Sequence, residues 1–283
     1  MANSIFFSLV TAGAFKLLAE SVFAGWFPGP HALQYGYAVA GALWGVMITV
    51  TPLLVVAFVR EPVRDYAVDK TPINLLRIFK EVMANQPFRI GAIIYLLTFT
   101  AVDMITAVFV WFLIYYMELQ PPFDSLVLAT VLGVAFLSMP LTIHWMKQWG
   151  KSTTYLRLMS FWAVTMTVIS LLPPGSRSLV LILGALAGLG YGAANAIPWA
   201  IVADVIEEDE WQTGLRREGV YAGFLTTFRK IATSVAVGLL LPQVLAATGF
   251  IEGAATHQPP AAILALRLFM GAVPAVLLVL SMI

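Results

Sequence analysis

The sequence predicts an all-α polytopic membrane protein with eight transmembrane helices. Hydrophobic residues fill 60% of its 283 positions and charged residues 11%, with a mean hydropathy of +0.88. A soluble domain does not have that balance. The apolar residues come in blocks of roughly 20 or more, long enough to cross a hydrocarbon core of about 30 Å. Backbone groups in lipid must pair within their own span, so these blocks are helices.

The spans read as 5–27, 34–59, 89–117, 123–146, 155–173, 177–203, 219–247 and 261–283. Turn chemistry marks the breaks at Pro28-Gly29-Pro30, Pro121-Pro122, Pro173-Pro174-Gly175 and Pro259-Pro260. Met1 to Phe7 has no positive n-region, and the first block contains Lys16 and Glu20, so it is an ordinary span rather than a secretory signal. Arg60, Arg64, Lys70, Arg77, Lys80 and Arg89 lie around the connection after the second span. Alternate connections add Lys147, Lys151 and Arg157, then Arg216 and Arg217, whereas the opposite side holds only Arg177. The positive-inside rule therefore places both termini in the cytoplasm; the membrane expected is a bacterial inner membrane.

The 60–88 segment divides the chain. Ile73, Leu76, Phe79, Val82 and Met83 recur there at helical spacing, with Arg77, Lys80 and Glu81 opposite, the pattern of an amphipathic helix on the cytoplasmic membrane surface or of a solvated linker helix. Residues 1–59 form one helical section, 60–88 a cytoplasmic central loop and 89–283 a six-helix section.

The absence of cysteine excludes disulfides, thiolate metal sites and a nucleophilic thiol. His31, His144 and His257 lie far apart and form no ligand spacing. There is no metal-ligand set, nucleophile–base pair or phosphate loop, so no enzyme, cofactor or nucleic-acid partner is expected.

Ionisable groups inside the spans are the candidate functional residues, since each costs about 2.5–3.5 kcal/mol at the helix centre on insertion scales. Lys230 lies about 11 residues, or roughly 16 Å, into its span, near the bilayer centre. Thr226, Thr227, Thr233 and Ser234 share its face at i±3 and i±4, a stripe suited to a hydroxylated or anionic solute. The alternative is a structural ion pair. Arg229 points about 100° away and is expected to serve a neighbouring helix by packing. Asp103 lies mid-span with Thr100 and Thr106 a turn either side. Beside Lys230 it could stay ionised and couple transport to a proton or cation; alternatively it makes a helix-packing hydrogen bond. Lys16 either pairs with Glu20 at i+4 or faces solute. Asn195 and Pro198 interrupt the sixth span, where a kink is expected. Gly184, Gly188 and Gly192 form a helix-packing face, and Trp111, Tyr115 and Tyr116 an aromatic belt.

Several of these residues resemble a family. The run from Ala196 through Pro198-Trp199 to Asp204, then Thr213-Gly214-Leu215-Arg216-Arg217-Glu218-Gly219, then Lys230 and Thr248-Gly249-Phe250, is similar to the tenth and eleventh helices of the glycoside-pentoside-hexuronide:cation symporters. These form the melibiose-permease branch of the major facilitator superfamily. Asn85-Gln86-Pro87-Phe88 and Tyr115-Tyr116 also resemble it. The resemblance implies a partial major facilitator bundle working by alternating access, with Na⁺ or H⁺ as coupling ion and a sugar or glycoside as solute. It places Lys230 at the sugar–cation interface, with Thr226 facing the sugar. It assigns Asp204, Glu207, Arg216 and Glu218 to a cytoplasmic charge network that gates the cavity. The family has twelve helices, so these eight correspond to its last eight, and the chain is expected to be a carboxy-terminal fragment. Competing readings are a non-transporting membrane scaffold or partner subunit, and a lipid carrier of the same superfamily, which would need an apolar lateral cleft.

Overall fold

A computed structural model describes residues 18–58, 83–119, 123–214, 218–251 and 258–283. Every regular element among them is helical. The chain separates into two compact units, one of Phe6–Val68 and one of Met1–Ile5 with Asp69–Ile283.

In the smaller unit, a π turn (Leu18–Phe23) and a 3₁₀ turn (Ala24–Trp26) lead through Gly29, at φ 109°, into helix α1 (Ala32–Phe58). The predicted span 5–27 falls mostly outside the described residues, and its described part is not regular α-helix. A Cβ on Gly36 would lie 2.3 Å from the carbonyl oxygen of Ala19, so glycine is required where α1 meets the preceding turn. Ala19, Phe23 and Ala40 make the small core. Most of α1 remains exposed, including Val46, Leu53, Val56 and Phe58.

The larger unit holds α2 (Gln86–Trp111, extended by a π turn to Tyr116), α3 (Phe123–Leu137), α4 (Met139–Trp149), α5 (Lys151–Leu171) and α6 (Arg177–Thr213). It continues with α7 (Glu218–Thr233), a π segment (Ser234–Leu240), α8 (Leu241–Ala247), α9 (Pro260–Met270) and α10 (Ala272–Ser281). Six helices among the described residues are long and apolar enough to cross a membrane, and α3 with α4 makes a seventh if that bent pair is one span.

The bend in that pair is 43° and falls at Ser138, inside a span expected to be continuous. Pro140 cannot donate to the preceding turn, while the Ser138 hydroxyl donates to the Ala135 carbonyl at 3.0 Å. Helix α6 departs from expectation in its length. It runs unbroken through Asn195 and Pro198, and the charged stretch Glu207–Glu210, expected as loop, is its last turns. At 37 residues it measures about 55 Å, well beyond a core of about 30 Å. Burial of Val202 and Val205 with Phe88, Tyr95, Tyr221 and Leu225 holds the extension, and Gly214 in the left-handed region (φ 67°) terminates it.

The core centres on α6. Its Gly184, Gly188 and Gly192 face α3, where a Cβ on Gly188 would lie 2.4 Å from the Val131 carbonyl oxygen. The expected glycine packing face is thus an interface of near backbone contact. On the opposite side Gly190 meets Trp162 of α5, which is 1% exposed. Thr98, Tyr155 and Ser281 tie α2, α5 and α10 together, with oxygens 2.6 and 2.5 Å apart. Arg267, another basic residue inside a span, donates to the Ser170 carbonyl at 2.8 Å near the end of α5 and lies over the Tyr116 ring at 5.1 Å. Orphan carbonyls of a helix end are a natural seat for a cation. Trp111 and Tyr115 pack on Phe250, at 5.6 and 5.0 Å between ring centroids.

Candidate functional site

Helix α2 presents Asp103 to α7, and Arg229 meets it as a fork. Nη2 donates to Oδ1 at 2.7 Å and Nε to Oδ2 at 3.1 Å. The Thr233 hydroxyl, one turn further along α7, donates to Oδ2 at 2.6 Å. Only a guanidinium offers two parallel donors to one carboxylate, so lysine could not make this pair. The Arg229 guanidinium also lies 4.0 Å from the Phe99 ring centroid, a cation–π contact that strengthens with desolvation. The Asp103 and Arg229 side chains are 20% and 30% exposed.

Of the two readings of Asp103, a place beside Lys230 or a helix-packing bond, the structure gives it Arg229 and Thr233 as partners. Lys230 is exposed on α7 and has no ion-pair partner among the described residues. The physical reason is azimuth, because neighbouring residues of a helix differ by about 100°. Turning Arg229 into the unit turns Lys230 out of it. Thr226, Thr227 and Ser234 are likewise exposed, and Thr226 donates to the Ala222 carbonyl at 2.7 Å. Phe228, Ile231, Val235 and Leu239 form an exposed apolar stripe beside this polar one.

Around the Asp103–Arg229 pair lies a half-buried polar layer that adds two tyrosines to the polar residues named from sequence. The Tyr95 hydroxyl is buried beside Arg229, and Tyr191 on α6 comes near Thr106, Asn195 and the pair itself. Asn195 donates to the Tyr191 carbonyl at 2.9 Å, bonding within its own helix instead of breaking it. Thr233 was the available signal for the pairing: it stands at i+4 from Arg229 as well as i+3 from Lys230.

Part of the expected charge network lies within the described residues. Asp204 bonds to Lys151 at the start of α5, and Lys151 also donates to the Ala200 carbonyl at 3.0 Å. Glu207 is exposed on the extension of α6, and Glu218 is exposed in the first turn of α7, where helix dipole favours an acid. Asp209 is 5% exposed and accepts from Asn85 Nδ2 at 3.5 Å. Asn85 also caps α2, accepting from the Phe88 amide at 3.1 Å. Lys16 and Arg216 lie outside the described residues, as does most of the expected amphipathic segment.

Between α2 and α7 lies a cavity of about 230 Å³. Ala92, Ile93, Leu96, Phe224, Leu225 and Phe228 line it, together with Met83, Phe88 and Arg89. Among the described residues no cluster of three or more His, Cys, Asp or Glu could hold a metal ion.

Residues 2–283 match the family described as MFS/sugar transport protein. An uncharacterized symporter of Synechocystis is 29% identical over 71% of this chain and 38% of its own length. A protein of Escherichia coli named as a sulfoquinovose importer is 28% identical over 79% of this chain and 48% of its own. A zebrafish sodium-dependent lysophosphatidylcholine symporter is 24% identical over 89% of this chain and 49% of its own. The chain spans about half the length of these relatives or less.

Proposed function

Because this chain belongs to the MFS/sugar transport protein family, we propose that it is part of a secondary active transporter that carries a sugar or glycoside with a monovalent cation by alternating access. The observation that carries this reading is the exposed stripe of Thr226, Thr227, Lys230 and Ser234 on α7. Its one charge finds no counter-ion within the described residues. A lone ammonium among hydroxyls suits a polyhydroxylated solute, and it suits an anionic group on that solute equally well. The relative named for sulfoquinovose agrees with both. Lys230 and Thr226 contact solute, and Na⁺ or H⁺ supplies the driving gradient. Both oxygens of Asp103 already accept from Arg229 and Thr233, which favours the helix-packing reading of this carboxylate over the coupling one. Asp204 and Lys151 belong to the cytoplasmic gate.

Uptake into proteoliposomes holding the chain tests this, with a panel of neutral sugars, glycosides and sugar sulfonates and with imposed Na⁺ or H⁺ gradients. Gradient-driven uptake that is lost in Lys230→Ala supports the reading; uptake indifferent to both Na⁺ and pH sinks the symport claim.

The apolar cavity between α2 and α7 favours a second reading, that of a lipid carrier. Its walls suit an acyl chain, and two zebrafish relatives are named for lysophosphatidylcholine. Competition by lysophosphatidylcholine, with no response to any sugar, would select it.

A further inference from the structure

We propose that Asp103 and Arg229 are positioning residues that set the rotation of α7 about its axis and so aim Lys230. The inference rests on the proposed role of the Lys230 stripe, but its geometry can be tested separately. Arg229 is held from three directions: by both oxygens of Asp103, by the Phe99 ring at 4.0 Å, and through Thr233, which shares the same carboxylate one turn on. Two α7 side chains a turn apart on one acceptor fix the azimuth of the helix as well as its distance from α2. A single bond would leave the helix free to roll. The consequence falls on the adjacent residue, because the polar stripe of Thr226, Lys230 and Ser234 runs beside the apolar stripe of Phe228 and Ile231. A roll of one residue, about 100°, would exchange the two. The π segment Ser234–Leu240 begins right after Thr233, and such segments shift helical register. The clamp therefore holds the register of α7 just before the register changes.

The chain has no cysteine, so single cysteines report cleanly. Lys230→Cys and Ile231→Cys are each labelled in membranes with a charged, membrane-impermeant maleimide and with a lipid-soluble one, and the 230:231 ratio is taken for both reagents. Polar-face exposure at 230 gives a high ratio with the charged reagent and a low one with the lipid-soluble reagent. If the unmodified clamp shows no such contrast, the solute-facing reading of Lys230 fails. Adding Asp103→Asn is expected to shift the ratio toward unity by roughly tenfold, as breaking a buried pair frees the helix to roll. The exchange Asp103→Arg with Arg229→Asp rebuilds the fork but not the Thr233 bond, and is expected to restore the ratio in part. Arg229→Lys keeps the charge but loses the fork, and should give an intermediate ratio if the other variants fail to fold. A ratio unchanged by both Asp103→Asn and Arg229→Lys with either reagent overturns the proposal, since a pair that only stabilises the fold would leave the azimuth of correctly folded protein untouched.

Discussion

Arg229 and Lys230 are adjacent in the chain and chemically alike, yet they have opposite surroundings. Arg229 is turned inward, forked onto Asp103 and stacked on Phe99. Lys230 is turned outward along a stripe of hydroxyls, with no ion-pair partner among the described residues. One rotation of about 100° along a helix separates a structural cation from a candidate solute-binding one. The choice of side chain fits each place. A planar fork satisfies a fixed carboxylate, whereas a flexible ammonium suits a ligand that comes and goes. Charge at bilayer depth is therefore no guide to function until its partner is known.

Breaking the inner member should have the largest effect. Arg229→Ala leaves Asp103 half-buried without its fork and should cost about 3–5 kcal/mol, read as a large loss of thermal stability in detergent. Arg229→Lys should recover only part of it. Crowding the α6–α3 interface comes next. In Gly188→Val the new side chain meets the Val131 carbonyl, for a loss of about 1–3 kcal/mol, visible as lower Tm and yield. Thr98→Val should cost about 0.5–1.5 kcal/mol, because it removes one of two partners of the buried Tyr155 hydroxyl, which keeps Ser281. Lys151→Ala removes a pair whose side chains are 35% and 57% exposed, so stability should change by no more than about 1 kcal/mol. The outer member closes the series: Lys230→Ala should leave stability within about 0.5 kcal/mol of the parent while abolishing transport. A Lys230 variant as unstable as the Arg229 variant would erase the contrast between the two cations.

Much of this protein was legible beforehand. The apolar blocks located the helices, because a length of roughly 20 apolar residues has few other uses. The prolines at 28–30, 173–174 and 259–260 marked real connections. Gly184, Gly188 and Gly192 announced the face that α3 covers. Two elements were misread. The acidic run 207–210 continues helix α6 where a connection was read, and the span read as continuous over 123–146 bends next to Pro140. A proline removes one donor wherever it stands; whether the helix gives way depends on what packs beside it. Val202 and Val205 are buried against α2, which keeps the end of α6 helical despite its charges.

By itself the sequence determined the class of the protein and the membrane as its solvent, because composition and local periodicity suffice for those, while the motifs around Pro198, Asp204 and Lys230 carried the resemblance to its family. The partners of its charges were decided only in three dimensions. Asp103 lies 126 residues from Arg229, and Lys151 lies 53 from Asp204. A local pattern carries no information about which of two neighbouring cations turns inward; packing α7 against α2 does.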